Sequence, residues 1–300
     1  HGSIAVRSQG RYPVRPGGVA GDRVFDGTTR ASDWVGDLEW VPTAVDPEQG
    51  FLATANQQPV DPDDDPAIMG DGWPSPWRAL KINELLRSKE RHSADDLMAY
   101  QTHPVGARAE YFVPAFLDAA EAVLAGEASW AGDAEALRAA AEALAAWDGG
   151  YQPDNTGTRL FEAAMVELQT RLWDELEDER GRRVATPNSE IAWQLLAQPE
   201  SPWWDDRSTT ELESADDIMA GSLERAYSSL VAELGAPGGP AWRWGAYRFA
   251  RVNSLLGIEA LSRSGLSVQG GPELLNPSFG GGGAGASWRM VVELGDPVRA

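Results

Sequence analysis

Asp46-Pro47-Glu48-Gln49-Gly50-Phe51-Leu52-Ala53-Thr54-Ala55-Asn56-Gln57-Gln58-Pro59 is the stretch on which the fold turns. Its middle, Gly50 to Ala55, is a short apolar run between turn formers, the pattern of a strand. Asn56 follows directly and opens a polar loop that continues to Pro66. An Asn at the end of such a strand can aim its amide into a site and donate to an oxyanion. The other reading of the same residue is an Asx turn ahead of Pro59.

Working outward, Ser3 to Val6 reads as a further strand that runs into the turn Arg11-Tyr12-Pro13-Val14-Arg15. Residues 1–80 as a whole carry short apolar pieces punctuated by Gly and Pro, as in a sheet with long loops. Beyond Arg78 the texture becomes helical. Ile82, Leu85 and Leu86 fall on one helix face, and Arg78 opens that helix, an unfavourable end of the dipole for a cation. Ser93-Ala94-Asp95-Asp96 is a helix N-cap with acids in the first turn. The same frame recurs at Ser214-Ala215-Asp216-Asp217, and we read the pair as two similar helix starts, not a repeat. Further helices are expected over Ala109–Leu124, Asp133–Trp147, Thr158–Leu176 and Ser189–Leu196, with the Ala-rich stretch 134–146 exposed or lightly packed. After Gly235 the pattern returns to strands. Trp242 to Phe249 alternates, Gly280 to Gly283 is a flexible turn, and Ser287 to Leu294 is a strand candidate. Strands, a helical insertion and then strands make an α+β fold, with expected divisions at 1–80, 81–240 and 241–300.

The 300 residues are 42% hydrophobic, enough for a sizeable core, which excludes bulk disorder. No apolar run approaches the length of about 18 residues that a membrane-spanning helix needs. The 25 basic residues, of which only Lys81 and Lys89 are lysine, face 46 acidic ones, for a net charge of −21. Such a surface repels nucleic acid phosphates and anionic lipid. With no cysteine, disulfides, thiolate metal sites and Cys nucleophiles are excluded. The start at His1 shows no signal peptide, and both ends read as cuts in a longer protein.

Few motifs carry chemistry on their own. The acidic loop Asp61-Pro62-Asp63-Asp64-Asp65 has alternating carboxylates, but Pro66 and Gly72 occupy the positions where the helix–loop–helix calcium motif needs Gly and Glu. A non-standard calcium site and a solvated loop both stay open. His92 and His103 read as ordinary surface positions, without metal-ligand spacing or a nucleophile elbow. Gly280–Gly283 lacks the Lys-Ser/Thr of a phosphate loop. The tryptophan pairs Trp203/Trp204 and Trp242/Trp244 fit either core packing or an apolar or sugar-binding cleft. No spacing singles out two carboxylates for glycoside hydrolysis.

Taken in order, these blocks resemble the penicillin acylase family of N-terminal-nucleophile hydrolases. The resemblance runs through Gly2–Ala5, Gly10–Arg15, Trp34–Gly36, Asp46–Pro59, Arg78–Leu86, Ser93–Gln101, Trp147–Gly149, Trp244-Gly245 and Gly285–Arg289. It implies part of a four-layer αββα sandwich with a large helical insertion, drawn from the large subunit of a self-processed precursor. A Ser at the new amino terminus attacks an amide carbonyl in that family, with its own α-amine as base, so no His is needed. On this resemblance Asn56 donates to the oxyanion, Arg78 orients the nucleophile's surroundings, and Asp65 is the nearest carboxylate to a structural calcium ligand.

The implied substrate is a small-molecule amide joining an acyl group to an amine nucleus, such as a β-lactam or a homoserine lactone. The implied partner is the small subunit of the same precursor; nucleic acid and membrane are not partners. Periplasmic or extracellular location follows from kinship, with the cytoplasm the open alternative. The sequence also departs from the family. Ser3 sits in an interior strand and is not the nucleophile, and the closing Gly-Gln-Ser-Gly-like segment is missing. Arg248 stands where many relatives place a His after Trp-Gly. The chain is therefore expected to be inactive alone, and an inactive acylase-like binding module is the alternative.

Overall fold

A computed structural model of the chain describes residues 2–18, 24–61, 72–126, 130–178, 180–182, 185–278, 285–286 and 288–295. It divides into two compact units, His1–Ser88 and Lys89–Ala300.

In the first unit, β1 (Ala5–Arg7) pairs antiparallel with β4 (Thr43–Val45) in the register Val6 opposite Ala44. β2 (Pro13–Val14) pairs with β3 (Gly36–Asp37). The expected strand at Gly50–Ala55 does not form: the segment is irregular, with no ladder partner among the described residues. It is bracketed by two left-handed residues, Gly50 at φ 77° and Asn56 at φ 67°, which bend it away from a ladder. α1 (Trp77–Arg87) begins just before the expected position. Its deepest residues are Trp77 and Lys81, four apart on one face, while Ile82, Leu85 and Leu86 are only half-buried. The buried Lys81 ammonium donates to Glu84 Oε2 at 2.6 Å, which keeps its charge compensated.

The second unit is mainly helical: α2 (Ala94–Gln101), α3 (Ala107–Ala125), α4 (Ala134–Ala145), α5 (Gly157–Leu172), α6 (Ser189–Leu195) and α7 (Ala215–Leu234). α7 is central and packs on α3, α4 and α5. Its consecutive buried run from Asp217 to Leu223 shows why: a helix with neighbours on several sides buries more than one stripe. α3 contributes Phe112, Phe116, Ala119 and Val123 at helical spacing. α4 corrects an expectation. Far from lightly packed, it buries Leu137, Ala140 and Leu144 completely, a stripe that its alanine content masks.

Both Ser-Ala-Asp-Asp frames are capping boxes. Asp96 N–H donates to Ser93 Oγ at 3.2 Å and Ser93 N–H to Asp96 Oδ2 at 2.8 Å; Ser214 and Asp217 repeat the exchange at 3.2 and 2.9 Å. They differ in burial. Asp217 is buried and its Oδ1 has no partner among the described residues, so its charge leans on Ser214, whose hydroxyl also donates at 2.6 Å. α2 buries no residue. Ser214→Ala should therefore cost about 2 kcal/mol and Ser93→Ala about 0.5 kcal/mol in urea unfolding, the two ends of the usual N-cap range. Equal costs would show that the burial of Asp217 is immaterial.

The alternation at Trp242–Phe249 is not a strand. Pro240–Trp242 is a 3-10 turn and α8 (Trp244–Tyr247) a single helical turn; β5 (Phe249–Val252) starts only at Phe249 and pairs antiparallel with β6 (Arg263–Ser267). Trp242 and Trp244 are both buried, and each indole N–H donates to a carbonyl, of Gly235 at 3.1 Å and of Gly270 at 2.7 Å. Trp204 is buried too, so Trp204 and Trp244 are core rings; Trp203 is half-buried, and Trp242 also borders a cleft beside Trp147. Residues 288–294 form no strand, and Gly280–Gly283 lie outside the described residues. The class is α+β, with three two-stranded antiparallel pairs among the described residues. Among those residues no helix is long and apolar enough to cross a membrane.

Candidate functional site

The structure brings together the two residues singled out from the sequence. Buried Ala55 anchors the end of the 51–55 run, and Asn56 projects from it, exposed, in the left-handed conformation that Asn tolerates better than most side chains. Arg78 is the second residue of α1, between buried Trp77 and buried Ala79, so its backbone is held on both sides. Its Nη2 donates to Asn56 Oδ1 at 3.1 Å.

That single bond has a chemical consequence. A guanidinium has only donors, so the amide turns its oxygen to Arg78 and its Nδ2, with two N–H donors, to the opposite side. A full positive charge on the amide oxygen also polarises the amide and strengthens Nδ2 as a donor. Arg78, badly placed for the helix dipole, is thus engaged by Asn56. A second bond at this turn runs from Ala55 N–H to Gln57 Oε1 at 2.7 Å. Gln57 leaves no spacing signal in the sequence, because its bond depends on the turn at Asn56. A cleft of about 240 Å3 borders the turn, its lining including Val6, Trp40, Thr43, Thr54, Gln57 and Pro59.

The remaining candidates lie elsewhere. His92 and His103 are half-buried and not ordinary surface residues: His92 Nδ1 is 3.1 Å from Tyr100 Oη, and His103 Nδ1 is 3.1 Å from the Val105 carbonyl. Arg248 lies over Trp244, 5.2 Å from the ring centre, and donates to the Ser278 carbonyl at 2.7 Å. Asp65 lies outside the described residues. Among the described residues no group of three or more His, Asp or Glu is arranged to hold a metal ion.

A sequence model of the penicillin amidase family matches residues 1–300. The chain belongs to the penicillin amidase family. Curated relatives include acyl-homoserine lactone acylase QuiP of Pseudomonas putida, 29% identical over 97% of this chain and 38% of the relative. The same-named protein of Pseudomonas aeruginosa is 30% identical over 81% of this chain and 30% of its own length. The chain therefore spans well under half of these penicillin amidase relatives. Among solved structures, a thermostable penicillin G acylase from Alcaligenes faecalis matches with a TM-score of 0.61 at 19% identity, over 87% of this chain and 51% of that one. That likeness shows the α+β fold of the N-terminal-nucleophile hydrolases.

Proposed function

We propose that the protein to which this chain belongs is an acylase that hydrolyses the amide between an acyl group and an amine nucleus, with Asn56 as an oxyanion donor. The observation that carries this is the Arg78–Asn56 hydrogen bond, which turns Nδ2 outward as a polarised donor. In the reaction a nucleophilic hydroxyl adds to the amide carbonyl, whose oxygen becomes an oxyanion. Nδ2 donates to that oxygen more strongly than to the ground-state carbonyl, so it lowers the barrier and does more than bind. Collapse expels the amine, and water releases the acyl group in a second pass through the same oxyanion. Following the family resemblance, the nucleophile is a Ser freed by self-cleavage upstream of His1, with its α-amine as base.

The relatives' names favour an N-acyl-homoserine lactone as substrate; a β-lactam amide is the second candidate. A small subunit from the same precursor and a periplasmic or extracellular location belong to the same proposal, as does a calcium site involving Asp65. The test is to incubate the full-length, processed protein with an N-acyl-homoserine lactone and with a β-lactam amide and to quantify the free amine. Release of homoserine lactone is the expected result. Correctly processed protein that binds either compound and releases no amine would overturn the proposal in favour of a binding module.

A further inference from the structure

We propose that Gln57 is a positioning residue that locks Asn56 in its productive conformation. This rests on the acylase reading of Asn56 and adds a residue to it. Asn56 stands at φ 67°, a region that L-residues disfavour and that Asn visits in competition with negative φ, so contacts decide which it adopts. Two bonds among the described residues favour it. Arg78 fixes the side chain through Oδ1, and the Gln57 carboxamide reaches back across Asn56 to accept the N–H of buried Ala55 at 2.7 Å, fixing the backbone.

The second bond closes a small ring whose only intervening residue is Asn56. Opening it strands a buried N–H and frees φ of Asn56 to relax to negative values, which swings Nδ2 away from where the oxyanion forms. The Gln57 side chain also borders the cleft beside the turn, so substrate contact is the rival role. The two roles separate kinetically. A positioning residue acts on an interaction made in the transition state and lowers kcat, whereas a contact residue raises KM.

The test uses the full-length processed protein with the amide that it hydrolyses, and the variants Gln57→Met, of similar length without a strong acceptor, and Gln57→Glu, which keeps the acceptor. Gln57→Met should lower kcat by about tenfold or more with KM within about twofold, and should speed hydrogen exchange of the Ala55 amide. Gln57→Glu should keep that amide slow to exchange and give a higher kcat than Gln57→Met. In an Asn56→Gly background, where φ is unrestricted and the amide is gone, Gln57→Met should change residual kcat no further. Should Gln57→Met not fold, Gln57→Ser takes its place with the same expectations.

A wild-type kcat in Gln57→Met, equal kcat losses in the Met and Glu variants, or an equal drop in the Asn56→Gly background would overturn the positioning role. These outcomes are distinct from failure of the underlying reading. In that case Asn56→Ala itself would turn over normally.

Discussion

Asn56→Ala in the full-length protein is expected to lower kcat for amide hydrolysis by about 10²–10³-fold, the effect of losing one oxyanion donor, or about 2.7–4 kcal/mol of barrier. KM should change little, because the bond to Nδ2 strengthens only as the carbonyl oxygen takes up charge. Folding and self-cleavage should survive. Asn56 is exposed and its bond to Arg78 is solvent-accessible, but Ala tolerates the left-handed backbone less well than Asn, so the substitution should cost about 1 kcal/mol of stability. Asn56→Asp sharpens the contrast. A carboxylate has the same shape and pairs well with Arg78, but it has no donor and places negative charge beside the oxyanion. It should fold at least as stably as wild type and turn over no faster than Asn56→Ala. Steady-state kinetics with mass-spectrometric proof of processing reads both.

The largest expected loss of stability lies in the helical unit, at the buried pair Arg171–Asp206. The side chains are 7% and 4% exposed, and Arg171 Nε donates to Asp206 Oδ2 at 3.0 Å. Nη1 donates to the Ile218 carbonyl on α7 at 3.3 Å. Gly221 makes room for this: a Cβ there would stand 2.4 Å from Nη1. Asp206 also accepts from Ser208 N–H at 3.0 Å and from its hydroxyl at 2.5 Å. Arg171→Met would leave that carboxylate buried without its counter-ion, at a cost of about 3–5 kcal/mol in urea unfolding.

The pH dependence follows from the same site. Burial acts to raise the Asp206 pKa, but the Ser208 and Arg171 hydrogen bonds outweigh it and hold the carboxyl below its ordinary 3.8. A depressed native pKa contributes stability above the unfolded value, and that contribution is lost as pH falls through the native one. The difference between wild type and Arg171→Met should therefore be full at neutral pH and narrow below about pH 4. A cost under about 1 kcal/mol at pH 7 would mean that Ser208 and the backbone alone satisfy Asp206.

The helices were legible in the sequence because their signals are local. The Ser-Ala-Asp-Asp frames state a cap within four residues, and both helices begin where the frames place them. Strands were less legible, because a strand is defined by its partner. Gly50–Ala55 is apolar enough for a sheet but bends at Asn56, and Trp242/Trp244 alternate because a tight turn buries both rings. The buried stripe of α4 was hidden by alanines that lie on every face. At the site, spacing alone left Asn56 between a donor and a turn residue. The structure shows a left-handed turn residue whose amide is oriented by a cation 22 positions away, and the oxyanion role is the proposal built on that geometry. Gln57 was invisible, since its bond depends on the dihedral angle of its neighbour.

On the proposed function, Arg78 acts on the reaction through the amide of Asn56. The most direct measurement is a double-mutant cycle in the processed full-length protein, taking kcat for wild type, Arg78→Met, Asn56→Ala and the double variant. If Arg78 works by orienting and polarising Nδ2, the double variant should turn over as slowly as Asn56→Ala and no slower. Losses that multiply would show two independent roles, and wild-type turnover in Asn56→Ala would remove Asn56 from the reaction altogether.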